Sequence, residues 1–315
     1  MFLRYLLTFS FLLVSTATSL ADLFVSGQDA NTIFRFNSTT GDFIDKLIGP
    51  SQGLNSPVGM RVGPDGFLYI ANQGNGVINR FDLATKSLSV FAQTNLAPTD
   101  IQFTAAGDLL VSDFNGTQVY RFDLTTGNNL GAFTTGGSLV QPTNMLLKGN
   151  SLLVSSLGSG EVQRFNATTG AFIDTYVAAG SGGLTFPAGL QFGPDKNLYV
   201  SSLLTDQVIR YDVSASSPVP ALNPIPWLSL PIGAFPTDLL FVGSDLLIAT
   251  AGSQGVLKYN GSILTTFASH PDLGIAGQLL ETSVVPEASP LMMSGVAGVG
   301  LLLLIIRRRG LSSRV

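Results

Sequence analysis

The chain has 315 residues, of which only 11% are charged and 35 are glycine, and it contains no cysteine. The missing cysteines exclude disulfides, thiolate metal sites and cysteine nucleophiles. Lys and Arg number 16 against 20 Asp and Glu. Arg4, Arg307, Arg308, Arg309 and Arg314 all lie in the terminal segments, so the body between is more acidic than the whole. That balance argues against nucleic acid as a partner, because phosphate binding draws on Lys and Arg.

Residues 1–21 carry one basic residue, Arg4, an apolar run from Tyr5 to Val14, and small side chains at Ser19 and Ala21. This order predicts a secretory signal peptide. The alternative is an uncleaved anchor, for which the apolar run is short.

From Asp22 onward the chain repeats itself. Pro57 to Gln93 reads as four short strands: Val58–Val62, Phe67–Ala71, Val77–Phe81 and Ser87–Ala92. Gly63-Pro64-Asp65-Gly66 and Asn75-Gly76 supply turns, since Pro presets φ and Gly accepts φ > 0. Four strands alone cannot bury both faces, and copies follow. A strand-opening proline recurs at Pro57, Pro98, Pro142, Pro187 and Pro236. A basic residue before an aromatic recurs at Arg35-Phe36, Arg80-Phe81, Arg121-Phe122, Arg164-Phe165, Arg210-Tyr211 and Lys258-Tyr259. Units of about 40–45 residues with four strands each predict an all-β propeller.

The first copy lacks its proline-led strand, and Ile275-Ala276-Gly277-Gln278-Leu279 supplies it from the other end, aligned on Pro187-Ala188-Gly189-Leu190-Gln191. The expectation is a six-bladed ring over residues 22–283, closed when this last strand pairs into the first blade. Closure removes edges open to aggregation. The segment PVGMRVGPDGFLYIANQGNGVINRFD resembles an NHL-type repeat, with Gly59, Asp65, Gly66, Tyr69, Asn75, Ile78 and Phe81 on the pattern and Asn72 in place of the usual Asp. The resemblance implies architecture and leaves activity open, since propellers host many functions.

Several features are candidates for chemistry. The turns at Asn37–Gly41, Asp123–Gly127 and Asn166–Gly170 read as side-chain-capped turns; Asn37, Asn115, Asn166 and Asn260 are also formal glycosylation acceptors. Ser214–Pro231 is proline-rich and holds the single Trp227, either a ligand loop or a cover for an outer edge. His270 is the only histidine, too few for a His-based zinc site or a secure triad. The Arg/Lys series is expected to pair with turn carboxylates such as Asp82, Asp123 and Asp212.

Two residues after each strand-opening proline stand Gly59, Asp100, Asn144, Gly189 and Asp238, with Gly277 at the matching place. Asp100, Asn144 and Asp238 would meet at one mouth of the channel, where oxygen ligands suit Ca2+. This is similar to gluconolactonase-type propellers, which hold a divalent metal with Asp, Asn and Glu, although no Glu stands at these positions. The alternative reading is hydrogen bonding to backbone at the strand starts.

At the C-terminus, Val285-Pro286-Glu287-Ala288 precedes an apolar stretch, about 289–306, and then Arg307-Arg308-Arg309. The order predicts a membrane-spanning helix with a cytoplasmic tail. Residues 284–315 resemble a PEP-CTERM sorting signal of Gram-negative bacteria, with Ala288 in place of the second Pro. The resemblance implies secretion machinery and an exosortase as processing partners, transient membrane insertion, and release to the envelope or an extracellular matrix. A binding or scaffold role there, toward a polysaccharide or an envelope protein, is the expected function. The alternatives are a metal-dependent lactonase, an enzyme like the streptogramin lyases, or a structural matrix protein.

Overall fold

The computed structural model describes residues 21–283, apart from 216, 223–225 and 253–254. The expected signal peptide and the sorting motif at Val285, Pro286, Glu287, Arg307, Arg308 and Arg309 lie outside the described residues, except Ala21. Among the described residues, no helix is long and apolar enough to cross a membrane.

Six four-stranded antiparallel sheets make up the fold. Blade 2 is Pro57–Val62, Leu68–Asn72, Val77–Asp82 and Ser87–Gln93, one residue or less from the boundaries read in the sequence at each end. Blades 3, 4, 5 and 6 begin with Pro98–Phe103, Pro142–Lys148, Pro187–Phe192 and Pro236–Val242. Blade 1 takes its innermost strand, Ala276–Ser283, from the end of the chain, beside Ala21–Gly27. The closing strand runs from the side of Ile275 to the side of Leu280. Its neighbour runs the other way, because Gln28 N donates to Ile275 O at 2.9 Å. Ala21 and Ser283 therefore lie toward the same face of the ring.

The second strands are apolar on both faces because blades pack on both sides of them. Leu68, Tyr69, Ile70 and Ala71 are all fully buried. Clusters bridge successive blades, as where Leu23, Val25 and Phe36 of blade 1 meet Leu247, Ala249 and Val256 of blade 6. Burying each such side chain contributes about 1.5–3 kcal/mol, so the core is divided among blade interfaces.

Five of the six basic residues before the aromatics find acidic partners, but not the predicted ones, and the sixth, Arg80, lies over the Phe67 ring at 4.7 Å. Arg121 pairs with Asp108 at 3.6 Å, Arg210 with Asp195 at 3.5 Å and Lys258 with Asp245 at 3.5 Å, while Arg164 pairs with Asp174 and Arg35 with Asp45 and Asp22. Register explains the change. Arg121 stands opposite Leu110, so its diagonal neighbour on the same face is Asp108. The turn carboxylates cap their own turns instead. Asp82 accepts from Ala84 N and Thr85 N, Asp123 from Thr125 N and Thr126 N, and Asp212 from Ser214 N. These bonds hold all three carboxyls below the usual range. Asn37 and Asn166 cap their turns in the same way.

Candidate functional site

The innermost strands bring one residue from each blade to the channel. Asp100 N, Gly189 N and Gln278 N each donate to a serine hydroxyl of the second strand, Ser112, Ser201 and Ser26. Gln278 is thus the equivalent of Asp100 and Gly189, and Gly277 is not. The sequence alignment was one residue off because Ala276, not Ile275, holds the proline's place. Thr237 Oγ1 donates to Ala276 O as Thr99 Oγ1 donates to Pro142 O. The residue after the ring position is buried and apolar in all six blades: Met60, Ile101, Met145, Leu190, Leu239 and Leu279. That pattern was available in the sequence and sets the register.

Ring side chains reach forward to the next blade. Asp100 Oδ2 accepts from Met145 N at 2.7 Å, Asn144 Oδ1 from Leu190 N at 3.2 Å, and Asp238 Oδ2 from Leu279 N at 2.9 Å. Gln278 Oε1 accepts from Met60 N, and its Nε2 donates to Asp100 Oδ1 at 2.9 Å. Gly59 and Gly189 have no side chain to reach Ile101 N and Leu239 N. The next ring residue, an Asp in both cases, accepts from that N–H with its own carboxylate. Each of these two carboxylates thus serves two N–H donors, one on its own blade and one on the next. The order Gly-Asp-Asn in blades 2–4 therefore returns as Gly-Asp-Gln in blades 5, 6 and 1. The glycines are required by close approach. A Cβ on Gly59 would stand 2.5 Å from Thr99 O, and one on Gly189 2.7 Å from Asp238 Cα.

The predicted set, Asp100, Asn144 and Asp238, is thus brought together on one floor. Each member is engaged by backbone N–H of its own or the next blade. Among the described residues no group of three His, Cys, Asp or Glu side chains is placed to hold a metal. Burial pushes the Asp100 carboxyl up, against the pull of Arg61, whose Nη2 lies 4.0 Å away. Burial also pushes Asp238 up, to about 7, against its two N–H donors and with added repulsion from Asp100.

This predicts a pH dependence of stability. A carboxyl raised in the fold favours the fold fully below its unfolded value of 3.8, and the advantage fades as pH rises through about 7. The Asp238 contribution spans up to about 4 kcal/mol at 1.36 kcal/mol per pH unit. Between pH 5 and 8 the wild-type urea midpoint should fall, and Asp238→Asn should flatten that fall. An unchanged slope in the variant would assign the effect elsewhere.

The floor separates two cavities. The narrow one, about 150 Å³, contains Arg61, whose Nε donates to Ile101 O at 2.6 Å. The wide one, about 530 Å³, opens on the face away from Ala21 and Ser283. Asn144, Asp238 and Gln278 border both. The wide wall has a repeating construction that was not read in the sequence. The residue after each second strand donates its N–H to the carbonyl just before the innermost strand of the same blade: Gln73 to Ser56, Phe114 to Ala97, Leu157 to Gln141, Leu203 to Phe186 and Ala251 to Phe235. Four of those acceptor residues have left-handed backbone, with φ of 47° at Ser56, 52° at Gln141, 54° at Phe186 and 49° at Phe235. Bulky residues rarely adopt it, and such strain concentrates at functional sites. Phe186 and Phe235 remain about a third exposed at the mouth. Across from them, Gln28 Nε2 donates to Gln73 Oε1 at 2.8 Å.

The other candidates lie elsewhere. Trp227 packs edge-on against Tyr199 and Tyr259, at 4.7 and 5.2 Å between centroids, and borders neither cavity. His270 sits against Phe43 and Phe34, at 4.5 and 5.2 Å, with its Nδ1 accepting from Asp272 N. It too is away from the channel.

The fold defines the class: a six-bladed β-propeller with a blind, apolar-walled well on its axis. No family model matches the chain, and no curated protein matches it. Among solved structures it is similar to a catalytically inactive histidine-to-alanine variant of virginiamycin B lyase from Staphylococcus aureus with quinupristin. That match has 15% identity and a TM-score of 0.58, covering 84% of this chain and 93% of that one. It is similar to a chain of a nidogen/laminin complex at 14% identity and a TM-score of 0.64, covering 84% and 98%. A gluconolactonase from Xanthomonas campestris matches at 15% identity and a TM-score of 0.59, covering 72% and 82%. At these identities the likeness shows the fold alone.

Proposed function

We propose that the chain is an exported, surface-sorted binding module of the bacterial envelope or its extracellular polysaccharide matrix, and that the wide well is its ligand site. The observation that carries the binding reading is the well itself. Its volume is in the range of small-molecule sites, and its walls are mostly apolar with a few polar groups at the floor. The neighbours in fold include a lyase and a lactonase. A non-catalytic role is favoured because the floor carboxylates already accept backbone N–H bonds that hold the blades together, and the single histidine lies outside the well.

The test is titration of the full chain with Nile red, a neutral solvatochromic dye. Saturable one-site binding is expected, with a loss of tenfold or more in the Phe186→Ala/Phe235→Ala double variant. Leu130→Ala, at an exposed residue of the blade 3 outer strand, should bind as wild type. No saturable binding, or binding indifferent to the double variant, would overturn the reading.

A further inference from the structure

We propose that the wide well receives an organic cation, with an ammonium group seated at Asp238 and an apolar or aromatic body against Phe186 and Phe235. This rests on the binding reading above and names the ligand class for it. The charged residues bordering the wide well are Asp100 and Asp238, and the one bordering the narrow cavity besides Asp238 is Arg61. Arg61 is committed below the floor, to Ile101 O and toward Asp100. Among the described residues no cationic group lies within 4.0 Å of Asp238. Its partners are two backbone N–H groups. Arg61 draws on Asp238 from beyond the floor while Asp100 repels it; a buried carboxylate with no cation in contact is costly, and an ammonium entering from the mouth supplies that contact.

The walls suit such a guest. Phe114, Phe186 and Phe235 line the well, and aromatic faces attract desolvated cations. A neutral guest leaves the floor charge uncompensated, and an anion is repelled by it. The repeated left-handed turn that precedes the innermost strands sets the two phenylalanines at the mouth, where Ser56 and Gln141 occupy the same place in blades 2 and 4.

Three probes with one apolar body decide it: 4-phenylbutylammonium, 4-phenylbutan-1-ol and 4-phenylbutyrate, titrated calorimetrically into the full chain at pH 6 and pH 8. The ammonium should bind at least tenfold tighter than the alcohol at pH 8, and the carboxylate weakest. With Asp238 titrating at about 7, the ammonium affinity should rise about tenfold from pH 6 to pH 8 as the carboxylate ionises, and the alcohol affinity should not. Asp238→Asn should remove the preference for ammonium while the alcohol still binds. Should that variant fail to fold, the wild-type pH dependence and the probe ranking still decide. Equal affinity for alcohol and ammonium, or a preference that survives Asp238→Asn, would overturn the inference and leave the binding reading standing. Failure of all three probes while Nile red binds would do the same. Failure of the dye as well would remove both.

Discussion

Deleting Ile275–Ser283 from the full chain should abolish cooperative folding. The strand carries Ala276 and Leu279 into the core and covers Leu23 and Val25 of its neighbour. Exposing these four costs roughly 1.5–3 kcal/mol for each of the larger side chains. The loss continues with the ladder to Ala21–Gly27 and with the bonds from Gln278 to Met60 and Asp100. The total rivals the 5–15 kcal/mol by which a typical domain is stable. The strand Ala21–Gly27 would also become an open edge. Near-UV circular dichroism and a urea titration check the outcome. A sharp transition near the wild-type midpoint would show that the ring is not held by its closing strand. Gln278→Ala should cost far less, about 1–3 kcal/mol, the penalty for leaving the buried Met60 N–H without its acceptor and Asp100 Oδ1 without that donor.

Replacing Gly59 or Gly189 by Ala should cost about 2–6 kcal/mol each. The added Cβ meets the backbone of the next blade and not the end of a flexible side chain: Thr99 O at 2.5 Å and Asp100 Cα at 2.7 Å in one case, Asp238 Cα at 2.7 Å and Leu239 N at 3.0 Å in the other. Overpacking of this kind costs about 1–3 kcal/mol. The shift also spoils the carboxylate–N–H bonds of Asp100 or Asp238, another 1–3 kcal/mol or so. Gly49→Ala is the control. Its φ is −88°, its nearest neighbour is 3.8 Å away, and its midpoint should be wild type or slightly higher. Equal effects at Gly49 and Gly189 would show that the blades do not depend on this approach.

Much of the fold was legible because the features that build blades are local and repeated. Proline opens each innermost strand of blades 2–6, and a basic-aromatic pair closes each third strand. The closing strand was legible from its apolar pattern, but its register was not, because Ala276 replaces the proline that marks the other blades. That hid Gln278 and put Gly277 in its place. The floor residues Asp100, Asn144 and Asp238 were found from spacing alone. Their bonds were not, since each reaches a residue 41 to 46 positions away in the next blade. The wall was illegible for another reason. Phe186 and Phe235 point toward the channel through a left-handed backbone that no sequence signal announces in a phenylalanine. The ion pairs were missed because they cross between strands, directly opposite as in Arg35–Asp45 and Arg164–Asp174 or diagonally as in Arg121–Asp108 and Lys258–Asp245, and the nearest carboxylate in the chain does not decide them.

The antiparallel pairing of Ala21–Gly27 with the closing strand has a directional consequence. The first and last described strands of blade 1 thus enter and leave the ring on the side where Leu280 lies, and the broad opening, with Phe186 and Phe235 at its lip, faces the opposite way.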